Sequence, residues 1–440
     1  MRRIVVFAAL LLAPFLVRAQ NDAHVFTVEA DFMTRGELRY GGLTPGVGES
    51  EAGDPVWERN QASFILGRTR LGAQYDWRSF SARLEAQHSG TWGGAESDGS
   101  IRVREAWVQF TAPFGLFAKV GRQNIAYDDQ RIFGNDDWAM TGYSHDILKM
   151  GYEGHGHKVH LLAAYNQNPS NMMGGNVYLN GSQSYKAMEA LWYHYDIPSW
   201  HLGLSGVFLN VCMQNPQLAV DDPPESYQQQ LAGAYLSFTP RRWSVEGAYY
   251  HQMGRTETGL PVDAWMASGK VSMKPSDAVQ LYAGYDYLSG DEEFAIPGQQ
   301  QTGLIRHEKV KGFNSIFGSH NKFYGAMDFF YVTTYVNGFT PGLQNAYGGL
   351  RWNPVPTLSL GASYHFFAIA TRLEDVEMPL GHEVELSSSW SFMKNASLSL
   401  GYSFMHGTET MELLKRAEGN RNLHWAWLML TVHPKLQMKN

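Results

Sequence analysis

The sequence predicts an all-β fold: a transmembrane antiparallel β-barrel of about eighteen strands, with long extracellular loops partly folded into the lumen. Three observations predict it. Hydrophobicity alternates with a period of two along most runs, as half-buried strands require. Short and long connections take turns along the chain, as in outer-membrane barrels. An export signal opens the chain, yet no later apolar run approaches the ~20 residues of a membrane helix.

The first twenty residues, MRRIVVFAALLLAPFLVRAQ, read as a secretory signal. Arg2 and Arg3 form its basic end, Ile4 to Leu12 its apolar stretch, and Val17-Arg18-Ala19 its cleavage site. A signal over residues 1–19 leaves 20–440 as a single barrel domain. The apolar stretch is short for an uncleaved anchor. Taking three of 35 basic residues away with the signal leaves 32 against 42 acidic ones, a net charge of −10. That balance argues against a nucleic-acid partner, which needs concentrated positive charge. Cys212 is the single cysteine, so no intrachain disulfide can staple this exported domain, and a large closed structure must stabilise it. Charged residues make up 18%, below the roughly 25% of soluble domains, and aromatics reach 13%. A soluble β-sandwich would not offer lipid-like faces on most of its strands.

Within Phe64 to Asp76, Arg68, Arg70, Gly72, Gln74 and Asp76 share one face, while Ile65, Thr69, Leu71, Ala73 and Tyr75 share the other. Arg83, Glu85 and Gln87 alternate with Ala82, Leu84 and Ala86; Glu383 and Glu385 alternate with Val384 and Leu386. This pattern sends Leu84, Leu386, Trp390, Leu398 and Phe404 to lipid and the polar set to the lumen. Arg102 to Gln109 and Leu116 to Asn124 carry charge on both parities, which a β-bulge near Arg122 would explain. Short connections fall at 76–79, 112–115, 153–156, 196–199, 239–242, 274–277, 353–356 and 394–396, most of them with Gly, Pro, Asn or Asp. Between them lie long ones, including 41–60, 127–145, 166–183 and 291–343. Chain ends on the periplasmic side require an even strand number. Phe323 to Tyr335 is therefore assigned to the insert 291–343, and the run Leu423 to Val432 closes the barrel.

The run Leu116 to Asn124 ends in Gly-Arg-Gln and opens into a polar loop holding Tyr127, Asp128, Asp129, Arg131, Asp136, Asp137 and Trp138. GRQNIAYDDQRIFGNDDW, followed by Asp146, resembles the signature of the alginate-export family of outer-membrane β-barrels. The resemblance extends through Arg104-Glu105-Ala106-Trp107, His320 to Phe330 and Leu380 to Glu383 into the final strand, in effect over the mature chain. It implies an eighteen-stranded channel in the outer membrane of a Gram-negative cell. An arginine-lined lumen would pass an anionic polysaccharide or smaller anionic solutes. The presumed lumen also carries Glu85, Asp128, Asp129, Asp137, Asp146, Glu246, Glu383 and Glu385, a departure that favours a polar-solute channel over alginate itself.

Arg68, Arg70, Arg83 and Arg351 on polar parities, with Arg122, Asp129 and Arg131 of the signature stretch, form the expected solute path. Arginines on a narrow lumen set charge selectivity and hold carboxylates by paired hydrogen bonds. The alternative is an internal ladder with Glu85, Asp128, Asp129 and Asp137 that only stiffens the wall. His155, His157 and His160 straddle a turn with no completing ligand pair, so no metal is expected. Ser363 and His365 share a parity, but no Gly-x-Ser-x-Gly elbow or third group accompanies them. A barrel hydrolase of lipid or glycan is thus the alternative function, and no catalytic residue or cofactor is assigned. The expected partners are an anionic saccharide or other polar solute and outer-membrane lipid, with the chain a monomer. Part of 304–336, rich in aromatics, should fold into the mouth, anchored by Asn321, Lys322 and Asp328. The loop Ala126 to Ser144 should meet it, bringing Arg131 and Asp129 to the narrowest point.

Overall fold

Strands that alternate apolar and polar side chains need their backbone groups paired on both edges, and closure into a barrel supplies this. The computed structural model describes residues 23–41, 61–94, 100–168, 178, 183–215, 225–292, 308–330, 340–415 and 421–440. The strands are β1 (Val25–Tyr40), β2 (Gln61–Trp77), β3 (Phe80–Thr91), β4 (Ser100–Thr111), β5 (Leu116–Gln123) and β6 (His145–Gly154). There follow β7 (His157–Tyr165), β8 (Ala187–Ile197), β9 (Leu202–Gln214), β10 (Ser226–Phe238), β11 (Trp243–Arg255) and β12 (Pro261–Ser276). The last are β13 (Val279–Leu288), β14 (Leu343–Val355), β15 (Leu358–Ala368), β16 (Pro379–Met393), β17 (Ala396–Gly407), β18 (Asn422–Val432) and β19 (Lys435–Lys439). One short helix, α1 (Glu409–Lys415), lies between β17 and β18.

Sequence neighbours pair antiparallel from β1 through to β18. The circle closes on β1, which takes β18 along Phe32–Tyr40 and β19 along Val25–Glu29. Pro434 has no N–H to give the ladder, so β18 and β19 are two stretches of one barrel strand. The wall therefore has eighteen. β13 and β14 are direct neighbours from Leu288–Leu343 to Val279–Trp352, so the insert between them adds no wall strand. Its Phe323–Phe330 segment runs as turns and coil, as the even-number argument requires. Tyr331 to Tyr335 and the signal at 1–19 lie outside the described residues.

Leu84, Leu386 and Trp390 are more than half exposed on the outer face, and Leu398 and Phe404 share that face half-buried. No described helix is long and apolar enough to cross a membrane. The bulge is in β4 and not near Arg122. Glu85 pairs Glu105 and Ala86 pairs Val103, which leaves Arg104 as the extra residue. β5 runs in unbroken register with both neighbours. The bulge turns Arg104 and Glu105 both inward, where Glu85 holds the first at 2.8 Å and Arg83 the second at 2.6 Å. Outward parity accordingly switches from Ile101 and Val103 to Phe110.

The inner face is not uniformly polar. On β7, β8, β9 and β12 it carries Leu162, Met188, Trp192, Leu209, Val211 and Met266, all buried. These strands are apolar inside because they face a plug made of the chain's own loops.

Candidate functional site

Two loops build the plug. The first, 124–144, turns sharply at Asp128 (φ 52°) and Gln130 (φ 73°). It places Tyr127 flat on Trp192, ring centres 4.4 Å apart. Phe133 then meets Phe317 of the second loop, the described part (308–330) of the long insert. Backbone groups join the two: Gly134 N donates to Phe317 O at 2.8 Å and Ser319 N to Gln130 O at 2.9 Å. Ile125, Ile132, Phe133, Phe313 and Phe317 pack in one cluster with the apolar inner wall. Burying a large side chain contributes about 1.5–3 kcal/mol, so this contact is the plug's main support.

Arg131 is the plug's charged centre. Its guanidinium is buried and bonds Asp129 at 2.8 Å, Asp286 of β13 at 2.8 Å and the Tyr324 hydroxyl at 3.1 Å. It also lies 4.0 Å from the centre of the Phe323 ring. Burial works against the charge, but Asp286, Tyr324 and Asp129 outweigh it and hold Arg131 well above its ordinary range. Removing one partner of such a buried pair costs about 3–5 kcal/mol. Arg131 and Asp129 thus come together where the two loops meet.

A second group lines β1 to β4. Arg68 is 1% exposed and bonds Asp31 at 2.9 Å; Arg70 bonds Gln87 at 2.7 Å and Asp137 of the plug at 2.6 Å. Arg83 is held by Glu29, Glu85 and Glu105. Burial favours a neutral Asp137, yet Arg70, Arg68 and Arg104 outweigh it and hold the carboxyl below its ordinary range. Arg104 escaped the sequence reading because its bulge hides the parity; the charge on both parities of that run was the available signal.

Arg122 is not part of this lumen group. It pairs with Asp146 at 2.7 Å, and both stand on the outward parity of Val120 and Leu148. Directly opposite residues on neighbouring strands share a face, so the pair sits outside the wall. Arg351 is exposed on β14 and lines a cavity of about 300 Å³ between the plug and the wall. Lys270 and Lys322 face the same cavity, with Asp129, Glu246 and Glu385 among its other lining groups. Among the described residues, Arg351, Lys270 and Lys322 make no ion pair with a carboxylate.

The insert is anchored differently from the sequence expectation. Met327 N donates to Glu383 at 2.9 Å, and Ala326 N donates to Glu385. Lys322 and Asn321 line the cavity instead, and Asp328 leaves its buried Oδ1 without a protein partner. Ser363 bonds Glu385, and His365 sets Nδ1 against Asn345 Oδ1 at 2.9 Å and Nε2 3.5 Å from the same Glu385 carboxylate, so hydroxyl and imidazole meet at Glu385 and not each other. His155 contacts Tyr152, His157 contacts Tyr193, and His160 turns inward to Tyr127 and Glu153.

A closed barrel with an apolar outer belt, a charged inner wall and a plug of its own loops is an outer-membrane channel. The family described as "Alginate export" matches residues 74–421, and the chain belongs to that family. No curated protein matches the sequence. Among solved structures, OpdL of Pseudomonas aeruginosa is similar with a TM-score of 0.61 at 11% identity, over 93% of this chain and 99% of that one. OprD of the same organism gives 0.57 at 10% identity, over 97% and 99%. OccK2 (OpdF) of Pseudomonas aeruginosa, solved in complex with glucuronate, gives 0.58 at 14% identity, over 94% and 98%. At these identities the likeness is one of fold.

Proposed function

We propose that the barrel passes carboxylated saccharides, from single uronates to polymer, along a path made by Arg68, Arg70, Arg83, Asp129, Arg131 and Arg351. The observation that carries this reading is the arginine column of β2 to β4, continued across the plug by the unpaired Arg351, Lys270 and Lys322. Local lumen charge, and not the negative whole-chain charge, governs which ions enter. Acidic groups among the basic ones orient a solute that also carries hydroxyls. The glucuronate bound to OccK2 supports that solute class. Passage is passive and needs no catalysis. Residues 1–19 direct export, the outer belt meets lipid, and one chain forms one channel. Arg122 has no place on this path.

Planar-bilayer recording tests the proposal. Neutralising Arg68, Arg70 and Arg351 together to Gln should move the reversal potential towards cations and weaken the block of ion current by glucuronate. An unchanged reversal potential in a folded barrel would make these residues structural only.

A further inference from the structure

Five consecutive carbonyls of the plug, from Asp137 to Thr141, accept hydrogen bonds from the wall. Arg68 donates to Asp137 O at 2.8 Å and Ala139 O at 3.3 Å, and Arg35 to Trp138 O at 3.1 Å. Gln87 Nε2 donates to Met140 O at 3.0 Å and Thr141 O at 3.2 Å, and Arg102 also reaches Thr141 O. The Asp137 carboxylate completes the row, 2.6 Å from Arg70 and 3.4 Å from Arg104. Every one of these donors belongs to β1, β2, β3 or β4. A file of oxygen acceptors ending in a carboxylate, laid along arginines, has the hydrogen-bonding character of an acidic saccharide.

We infer that Asp137–Thr141 is a built-in stand-in for the solute, holding the arginine column until a carboxylated saccharide displaces it. The inference rests on the proposed solute path and adds its regulation.

Three further features fit displacement. Arg68 Nε, Arg70 Nη2 and Arg104 Nε are buried without a protein acceptor, so an incoming carboxylate meets donors that the segment leaves unused. Two of them converge beside Gly142. A β-carbon there would come within 3.4 Å of Arg70 Nη2 and 3.6 Å of Arg104 Nε, so the missing side chain keeps that approach clear. Asp137 itself is 49% exposed at its side chain, within reach of a solute. The segment also has a closed base, because Tyr143 N donates to Asn135 O at 3.0 Å, and it can leave the wall as one flap. A short tether gives a segment an effective concentration in the mM range. Single uronates must therefore compete at similar concentrations, whereas an oligomer gains by engaging several arginines at once.

The test places a thiol in the flap by Ala139→Cys, in a full-length chain carrying Cys212→Ser. Its modification rate by a charged methanethiosulfonate is read in reconstituted vesicles, alongside bilayer current. Glucuronate, and at lower concentration an oligogalacturonate, should raise the rate severalfold; glucose should not. Adding Asp137→Asn should raise the rate without solute and lower the half-blocking glucuronate concentration about tenfold. Asp137→Glu, which keeps the charge, should restore slow modification, and heat-dependent gel mobility checks that each variant is folded. A rate unmoved by glucuronate that still blocks the current leaves the channel standing and overturns the flap. A channel blind to glucuronate in both assays overturns the solute path and the inference with it.

Discussion

Asp328 of the insert and Lys415 of α1 are both half-buried, and the Lys415 ammonium donates to Phe329 O next to Asp328. Asp136 and Tyr143 face Asp328 from the first loop, and Glu383 faces it from β16. Burial and the Asp136 charge push Asp328 up from 3.8 to about 7, against the pull of Lys415. Burial likewise pushes Lys415 down from 10.5 to about 7, against the pull of Asp328. Undocking the insert into water would return both groups to their ordinary values. Between those two acid values the docked Asp328 holds a proton that the undocked one lacks, so docking weakens as pH rises towards 7. Above 7 the undocked Lys415 holds a proton that the docked one lacks, so docking strengthens as pH rises. The insert is held least firmly near neutrality. Single-channel gating should accordingly be most frequent at about pH 7 and rarer at about pH 5 and about pH 9. Asp328→Asn should abolish the acid limb alone; a profile that changes in one direction across the range contradicts this latch.

At the scale of the element, alternation reads well where one face meets lipid and the other meets charge. β2, β3, β16 and β17 are such strands, and the outward Leu84, Leu386 and Trp390 follow directly from the period of two. β4 does not, because its bulge shifts the parity at Arg104 for the sake of two inward ion pairs. Nor do β7 to β9 and β12, where plug and lipid both ask for apolar residues and the pattern alone cannot say which face is which. Arg122 shows a related limit: its charge and its place beside the signature loop suggest the lumen, but it pairs with Asp146 of the next strand on the outer face. The two apolar faces should still separate by experiment. Leu386→Arg, on the outer belt, should destabilise the folded barrel by about 2–4 kcal/mol if it lies near the bilayer midplane. Met188→Arg, on the inner wall, should disturb the plug and raise conductance while the barrel still inserts. Urea unfolding in lipid measures the first and bilayer recording the second; equal loss of folded barrel in both would mean that the two faces are not distinct environments.

For the whole molecule, the wall closes through its own strand pairs while the plug is bonded onto it, and this sets what the long insert can do. The connection pattern was legible because turns need Gly, Pro, Asn or Asp and a barrel needs an even number of strands. The partners of the plug were not legible, since Arg131–Asp286 and Phe133–Phe317 join residues far apart in sequence that share no local signature. β13 and β14 pair directly, so removing 308–330 leaves that ladder intact and takes from the wall's backbone the bridge of Val310 to the start of β12, where it bonds Pro261 O and Asp263 N. Removal also takes away the Phe317 face of Phe133, the Tyr324 bond to Arg131 and the Ala326 and Met327 caps on Glu385 and Glu383. The first loop keeps its contacts with Trp192 and with the arginine column, so it should stay in the lumen and act as a half-plug. Replacing 308–330 by a short glycine–serine link should therefore raise single-channel conductance and reduce discrimination between glucuronate and glucose, with the heat-resistant folded form retained on gels. Unchanged conductance in that folded form would put the insert beside the conducting path and not across it.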